Sequence, residues 1–259
     1  MAMQATDPDY LRNEQYRRPG NLDARAELHR RFSINKQGLH RWVFDQLELP
    51  DDCRILEVGC GPGWLWKNNH ERIPAGWEVT LCDLSIGMVE TAIGNTRIRS
   101  AIVADAQHLP FADKHFSAII ANHMLYHVPQ KERALAAFQR ILISGGRLYA
   151  TTNGEDHLKE IFSLMARFDE HVHASRWVLD FTLESGSEIL QPFFTLTQLR
   201  HFIDRLEVTE AKPLADFIAS MIPIEQTQHR QLVNFIQGEL DRGGTIPIQK
   251  DSGWFIASK

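Results

Sequence analysis

A glycine-rich turn directly follows a short apolar run early in the sequence. Glu57 stands within the run Ile55–Val58, and Gly59, Gly61 and Gly63 come after it. Glycine tolerates positive φ and lets a ligand lie against the main chain. The spacing is G-x-G-x-G, whereas a dinucleotide fingerprint is G-x-G-x-x-G and suits a pyrophosphate. Together with the acidic Glu57, the turn therefore favours a ligand that carries a cationic amine.

Two carboxylates follow the next two apolar runs. Asp83 ends the run that starts at Trp77, about 20 residues after the glycines, where an acidic side chain can accept hydrogen bonds from both ribose hydroxyls of an adenosine. Asp105, followed by Ala106, ends the run 101–104 and could accept a hydrogen bond from an adenine amino group. A helix-capping role is the alternative for Asp83 alone.

The segment 122–127, Asn-His-Met-Leu-Tyr-His, holds the candidates for proton transfer. His127 is the first candidate for a general base, because a neutral imidazole suits proton removal near pH 7. A structural histidine that binds the N-terminal segment is the alternative. His123 and Tyr16 are weaker candidates. The four-residue spacing of the two histidines is found in zinc-binding helices, but no glutamate follows the first one, and a metal site needs three or four converging ligands, so we expect no metal.

The composition restricts the class of partner. The chain has 28 basic and 33 acidic residues, a net charge of −5, and no block of basic residues, so a nucleic-acid partner is not expected. No apolar run approaches the roughly 18 residues that span a bilayer, and the N-terminus is polar, so we expect a cytoplasmic protein without a membrane partner. Three cysteines do not form a disulfide framework.

The apolar runs that precede these groups alternate with helical patterns, which predicts a parallel sheet covered by helices. Two further helices are predicted before the first strand, at 22–32 and 38–47. In the C-terminal half the apolar spacing predicts four helices, at 156–168, 197–205, 213–221 and 228–240. A short strand is predicted at 206–209. A terminal hairpin is predicted from two strands, at 246–250 and 254–258. Thr197 is the expected cap of its helix.

Several stretches of the sequence together resemble the class I S-adenosylmethionine-dependent methyltransferases, in particular those similar to ubiquinone and menaquinone biosynthesis methyltransferases. The matching stretches are ILEVGCGPG (55–63), CDLSIGMVETA (82–92), VADAQHLPFADKHFSAI (103–119), LYHV (125–128) and RILISGGRL (140–148). The family usually has Lys-Pro-Gly-Gly where this chain has Ile-Ser-Gly-Gly at 143–146. That departure affects a turn and no binding group.

The resemblance implies an α/β fold, with a seven-stranded Rossmann-like sheet whose last strand is antiparallel. Helices would cover both faces, with additional N-terminal helices and a helical lid. The implied domains are an N-terminal helical cap (1–49), a cofactor-binding core (50–152), a lid and substrate-recognition region that includes the sixth strand (153–245), and a C-terminal hairpin that completes the sheet (246–259).

The resemblance also implies the cofactor S-adenosylmethionine and the product S-adenosylhomocysteine. The cofactor-binding residues that it implies are Glu57, Gly59, Cys60, Gly61, Gly63, Asp83, Leu84, Asp105, Ala106 and Asn122. The implied reaction is methyl transfer to an O, N or C atom of a small molecule by a monomer or homodimer. We expect the acceptor to be largely apolar or aromatic, because aromatic residues are common in the region 153–245.

Three other functional classes stay open at this point. A nicotinamide-dependent oxidoreductase is disfavoured by the glycine spacing. A methyltransferase of nucleic acids or proteins is disfavoured by the net charge and by the lack of an Asn-Pro-Pro-Tyr tetrad at 122–125. A non-catalytic adenosyl-binding module is also possible, because a cofactor motif does not prove turnover.

Overall fold

The computed structural model describes residues 6–11, 20–169, 179–222 and 224–259. These residues form a seven-stranded sheet in the order β3-β2-β1-β4-β5-β7-β6. The strands are β1 (Cys53–Val58), β2 (Trp77–Asp83), β3 (Ser100–Val103), β4 (Phe116–Asn122), β5 (Leu142–Asn153), β6 (Thr195–Val208) and β7 (Ile246–Ser258). β7 pairs antiparallel with both β5 and β6, and the first five strands pair in parallel. The predicted sheet and its antiparallel last strand are confirmed.

Helices lie before the first strand and between the strands. The helices of the described ranges are α1 (Gly20–Phe32), α2 (Leu39–Asp45), α3 (Trp64–Lys67), α4 (Ile86–Asn95), α5 (Lys131–Ile141), α6 (Lys159–Phe168), α7 (Gly186–Leu190), α8 (Ala211–Ala219) and α9 (Gln226–Gly243), with a single turn at Pro8–Tyr10. Both predicted N-terminal helices are present, as are those near 156–168, 213–221 and 228–240. Within the described ranges, no helix is long and apolar enough to cross a bilayer.

The sheet is buried on both faces because the middle positions of its central strands are apolar on both sides. In β4, Ile119 and Ala121 pack on the side of α5, whereas Ala118 and Ile120 pack on the side of α2 and α3. A strand covered on both faces needs this continuous apolar run. A third apolar cluster joins α1, α6, α8 and α9 to the ends of β6 and β7. The predicted helices on both faces of the sheet are therefore confirmed.

The predicted helix at 197–205, capped by Thr197, is wrong. Its apolar residues have helical spacing, but the segment is part of β6 and pairs with β7 along its length. Phe202 and Leu206 are buried, whereas Ile203 is 80% exposed, which is the alternation of an edge strand. Pairing with a neighbouring strand therefore overrode the local apolar pattern.

The predicted C-terminal hairpin is also wrong. Ile246–Ser258 is one continuous strand that lies between β5 and β6, and Ser252 pairs with Asn153 on one side and Phe202 on the other. Gly253 falls between the two predicted hairpin strands, but it does not form a turn. A Cβ on it would lie 2.5 Å from the carbonyl oxygen of Arg200, so the glycine permits close approach of the neighbouring strand.

Candidate functional site

The glycine turn lies at the carboxyl end of β1, where the strand order reverses between β1 and β4. Gly59 and Gly61 have φ of 67° and 51°, in the region that favours glycine. A Cβ on Gly59 would lie 2.6 Å from the Cβ of Met124, so this glycine lets the loop after β4 approach. A Cβ on Gly61 would have no atom within 4 Å. The main chain at Gly61 is therefore open to a ligand.

Asp83 ends β2 beside this turn. Its Oδ2 accepts a hydrogen bond from the N–H of Gly61 at 2.8 Å, and its Oδ1 accepts one from the N–H of Ser85 at 2.9 Å. Burial raises the pKa of Asp83, although backbone hydrogen bonds oppose that rise. A carboxylate has about four lone-pair sites, so two are left for hydroxyl donors of a ligand. The structure thus holds Asp83 in place and leaves it capacity to bind a ribose.

Glu57 is buried beneath the turn. Its Oε2 accepts a hydrogen bond from Nε1 of Trp66 at 2.7 Å, and its Oε1 accepts one from Nδ2 of Asn122 at 2.9 Å. Burial raises the pKa of Glu57 to about 8, although both hydrogen bonds act in the opposite direction. The carboxyl therefore joins the ends of β1 and β4, and its charge would respond to a cationic group bound nearby.

Asp105 follows β3 and begins a single helical turn at Ala106–His108. Its Oδ1 accepts a hydrogen bond from the N–H of Gln107 at 2.8 Å, and Nε2 of Gln107 contacts both carboxylate oxygens. The side chain is one third exposed. Asp105 is therefore oriented by its own turn, with part of its carboxylate accessible.

These strand ends line one cavity of about 1230 Å³. Pockets for a single small ligand usually measure about 300 to 1000 Å³, so there is room for a cofactor and a second molecule. The cavity wall includes most residues predicted to bind the cofactor, namely Glu57, Gly59, Cys60, Gly61, Asp83, Leu84, Asp105, Ala106 and Asn122. His123 and His127 line the same cavity. The tertiary structure thus brings together residues from the ends of four strands.

Comparison with known proteins places this arrangement in a family. Residues 56–150 match the model of a methyltransferase domain. The chain is 29% identical over 171 residues to malonyl-[acyl-carrier protein] O-methyltransferase of Enterobacter lignolyticus, an alignment that covers 65% of this chain and 61% of that protein. It is 26% identical over 151 residues to the ubiquinone/menaquinone biosynthesis C-methyltransferase of Pectobacterium carotovorum, covering 55% of each. Residues 56–150 are therefore a methyltransferase domain, and the chain is similar to class I S-adenosylmethionine-dependent methyltransferases.

Solved structures agree on the fold. Phosphoethanolamine N-methyltransferase 2 of Haemonchus contortus, solved in complex with S-adenosyl-L-methionine, matches 97% of this chain and 59% of that one with a TM-score of 0.60 and 18% identity. At this identity the likeness shows the fold alone. The alignments to the two curated relatives span little more than half of each relative's length.

One glycine that was predicted to bind the cofactor has a different environment. Gly63 precedes α3 with φ 75°, and among the described residues it is not part of the cavity wall. A Cβ on Gly63 would lie 3.0 Å from Cγ2 of Thr96 and 3.2 Å from Cβ of Ala92. The position of Gly63 thus allows α3 and α4 to approach each other and does not expose main chain to a ligand.

The residues predicted to transfer a proton have different surroundings. His123 directly follows β4 with φ 49°, which is uncommon for a residue other than glycine. Its N–H donates to the carbonyl and hydroxyl oxygens of Thr151. His127 ends a single helical turn, and its ring contacts Tyr126 edge-on at 4.6 Å between centroids. Tyr16 lies outside the described residues.

The basic residues on the cavity wall that the sequence prediction missed include His29, His40, His157 and Lys250. They come from α1, α2, the segment after β5, and β7, so no local motif links them. The sequence analysis places Lys250 in a predicted hairpin strand and assigns no functional role to His29. Among the described residues, no group of three or more histidine, cysteine or acidic residues could hold a metal ion.

Proposed function

We propose that this methyltransferase binds S-adenosylmethionine and transfers its methyl group to an O, N or C atom of a small molecule. The observation that supports this most strongly is that the residues assigned to adenosine binding and the basic residues line the same cavity. Its volume of about 1230 Å³ exceeds what one ligand requires. The cofactor would occupy the side of β1, β2 and β3, and the acceptor would occupy the side of β4, β5 and β7.

The residues present fit this cofactor. The open main chain at Gly61 could lie against the methionine and ribose portions, and the remaining lone pairs of Asp83 could accept both ribose hydroxyls. Asp105 could accept from the adenine amino group, and Glu57 with Asn122 would support the cationic amine end. S-adenosylmethionine supplies a methyl group that its sulfonium has already activated. The protein must therefore position the acceptor, exclude water and, for some acceptors, remove a proton.

The regions outside the core would enclose the acceptor. We assign residues 1–49 as the N-terminal cap, 50–152 as the cofactor-binding core, and 153–245 as the lid and substrate-recognition region with its strand β6. Residues of the first and third regions, including His29, Phe162 and Phe217, line the cavity together with core residues. The last segment, 246–259, completes the sheet as one strand.

The family assignment and the site geometry disfavour the other classes. A nicotinamide dinucleotide needs a pyrophosphate-binding turn, whereas the glycine turn here has Glu57 buried directly beneath it. A nucleic acid needs an extended basic surface, whereas the chain carries a net charge of −5. The two relatives are named as an O- and a C-methyltransferase, so the acceptor atom stays open among O, N and C.

Calorimetry and a transfer assay test this function. S-adenosylhomocysteine should bind with a defined stoichiometry, whereas NAD and a short single-stranded RNA should not bind. A screen with S-adenosylmethionine labelled at the methyl group should then yield a methylated small molecule. Binding of NAD instead of S-adenosylhomocysteine would contradict the proposal, and cofactor binding without transfer to any class of small molecule would favour a non-catalytic module.

A further inference from the structure

We infer that the acceptor carries a carboxylate, which binds to a basic wall formed by His29, His123, His157 and Lys250. This inference rests on the proposed function and names the chemical class of the acceptor. All four residues line the cavity: His123 follows β4, His157 follows β5, Lys250 lies in β7 and His29 lies in α1. The acidic residues assigned to the cofactor belong to other strand ends, with Glu57 in β1, Asp83 at the end of β2 and Asp105 after β3.

This division of charge fits two ligands of opposite sign. S-adenosylmethionine carries a sulfonium and an amine and would lie beside the three carboxyl groups. On the opposite side, Arg25 also lines the cavity, and its guanidinium donates to the hydroxyl and carbonyl oxygens of Ser220. Glu27 and Glu155 line the cavity as well, but Glu27 is bound by Arg30 through two hydrogen bonds. The hydrogen-bond donors on this side suit an anion, which accepts hydrogen bonds, better than an ammonium, which can only donate them.

The imidazoles of the basic wall have nitrogen atoms available to a ligand. Nδ1 of His157 accepts a hydrogen bond from the N–H of Asp251 at 3.1 Å, so the neutral ring carries its proton on Nε2. That N–H has no partner among the described residues. Neither ring nitrogen of His29 or His123 makes a hydrogen bond within the part of the chain that the structure describes, and Nδ1 of His29 is buried. Polar groups buried in a cavity are usually paired, so a ligand that accepts hydrogen bonds would satisfy them.

The backbone at His123 supports a ligand-binding role for its ring. A residue other than glycine rarely adopts a φ of 49°, and such strain is often found at functional sites. The hydrogen bonds from the N–H of His123 to Thr151 hold this conformation. As a result, the imidazole lies on the cavity wall immediately beyond Asn122, where the two ligand regions meet.

The charge of the wall indicates a single negative charge on the ligand. Burial, together with nearby positive charge, lowers the pKa of His29 and His123 to about 3, so both rings are neutral near pH 7. Nζ of Lys250 is paired with Oδ2 of Asp204 at 2.6 Å. Neutral donors beside a paired ammonium can hold one carboxylate. The several charges of a diphosphate would need additional cations.

Calorimetry on the full chain saturated with S-adenosylhomocysteine tests the inference. The probes are straight-chain carboxylates of two to ten carbons and the primary amide of each. Each amide keeps the shape of its acid and lacks the charge. We expect at least one acid to bind roughly tenfold or more tightly than its amide, as hydrogen bonds to a charged group predict. The inference is overturned if every amide equals its acid, or if hexyl phosphate binds more tightly than hexanoate.

Two variants locate the carboxylate. His29→Leu leaves no hydrogen-bond partner unpaired among the described residues. His123→Asn introduces asparagine, which tolerates the positive φ of position 123. Both should lower the preference for acid over amide about tenfold while S-adenosylhomocysteine affinity stays within twofold. The control His70→Leu, at an exposed histidine outside the cavity wall, should leave the preference unchanged.

The assay separates this inference from the proposed function. If the native protein does not bind S-adenosylhomocysteine, the cofactor assignment itself is refuted. If the cofactor binds normally and neither variant reduces the preference for acid over amide, only the assignment of the carboxylate to the basic wall is refuted. A thermal melt of each variant confirms that the protein measured is folded.

Discussion

The N–H of Gly61 donates a hydrogen bond of 2.8 Å to the carboxylate of Asp83, which stands 22 positions later in the chain. This contact joins the turn after β1 to the end of β2, and the two strands pair in parallel from Cys53 to Val58. The main chain that would contact the ligand and the carboxylate that would hold its ribose are therefore fixed relative to each other. A change at either residue should affect cofactor binding before it affects the rest of the fold.

We predict that Asp83→Ala weakens binding of S-adenosylhomocysteine by about 1.5 to 3 kcal/mol, because hydrogen bonds to a charged group are lost. Calorimetry measures the change. The control is Asp113→Ala, at a carboxylate that is 70% exposed and outside the cavity wall, and it should bind the ligand normally. Equal affinity of the Asp83 variant and the native protein would exclude the ribose assignment.

Gly61→Val should abolish cofactor binding while the protein stays folded. The new side chain has open space around its Cβ, so it would fill the ligand's position without a clash in the protein. Its positive φ costs about 1 to 2 kcal/mol of stability. Gly145→Val is a matched control, because Gly145 also has positive φ and open space but lies outside the cavity wall. Both variants should melt at lower temperature, and the control should still bind S-adenosylhomocysteine.

Glu57 should make the stability of the protein depend on pH. Burial raises the pKa of Glu57 from its ordinary 4.5 to about 8, so the folded protein retains this proton in a range where the unfolded chain has lost it. The contribution of Glu57 is therefore greatest below about pH 4.5, falls as pH rises, and levels off above about pH 8. A shift of this size corresponds to about 3 to 5 kcal/mol.

Urea unfolding at a series of pH values tests this dependence. In Glu57→Gln the position cannot ionise, so the stability difference between variant and native protein should change steadily in favour of the variant as pH rises. The control is Glu71→Gln, at a side chain that is 84% exposed, and it should follow the native protein at every pH. A stability difference that does not vary with pH would contradict the raised pKa.

Asp204→Asn should destabilise the protein by about 3 to 5 kcal/mol, because it leaves a buried ammonium without its counter-ion. Oδ2 of Asp204 binds Nζ of Lys250 at 2.6 Å and accepts from the hydroxyl of Ser33, and its Oδ1 accepts from the N–H of Asn35. These contacts attach the segment after α1 to β6. Hydrogen bonds from Lys250 and Ser33 hold the pKa of Asp204 below its ordinary value, although burial opposes this.

Chemical denaturation measures the loss in Asp204→Asn. A surface ion pair of similar type supplies the comparison, since Nζ of Lys212 lies 2.6 Å from Oδ2 of Asp216 with the lysine side chain 73% exposed. Lys212→Met should cost less than about 1 kcal/mol. If both variants lost the same small amount of unfolding free energy, the buried pair would not stabilise the attachment of the segment after α1 to β6.

His127→Ala tests general-base catalysis. If His127 removes a proton from the acceptor, the single-turnover rate should fall about 10²- to 10⁴-fold with little change in cofactor affinity. If the residue is structural, melting temperature, cofactor affinity and rate should fall together. His115→Ala, at a histidine near the start of β4 and outside the cavity wall, serves as the control. An unaltered rate in the His127 variant would remove this residue from the mechanism.

The sequence alone predicted the residues that we propose to bind the cofactor. Each predicted group stands at the end of an apolar run, and the ends of parallel strands meet at one edge of a sheet. Glu57, Asp83 and Asp105 could therefore be assigned to one place without coordinates. Local spacing also identified most helices, because an amphipathic helix shows its period within a few turns.

Only the tertiary structure decided the C-terminal strands and brought the distant basic residues to the cavity wall. Residues 195–208 have apolar positions at helical spacing, and only pairing with β7 makes them a strand. Likewise, His29 and Lys250 are far apart in sequence and meet because α1 packs against the end of the sheet. Such long-range contacts depend on how distant elements pack, and no local sequence period encodes them.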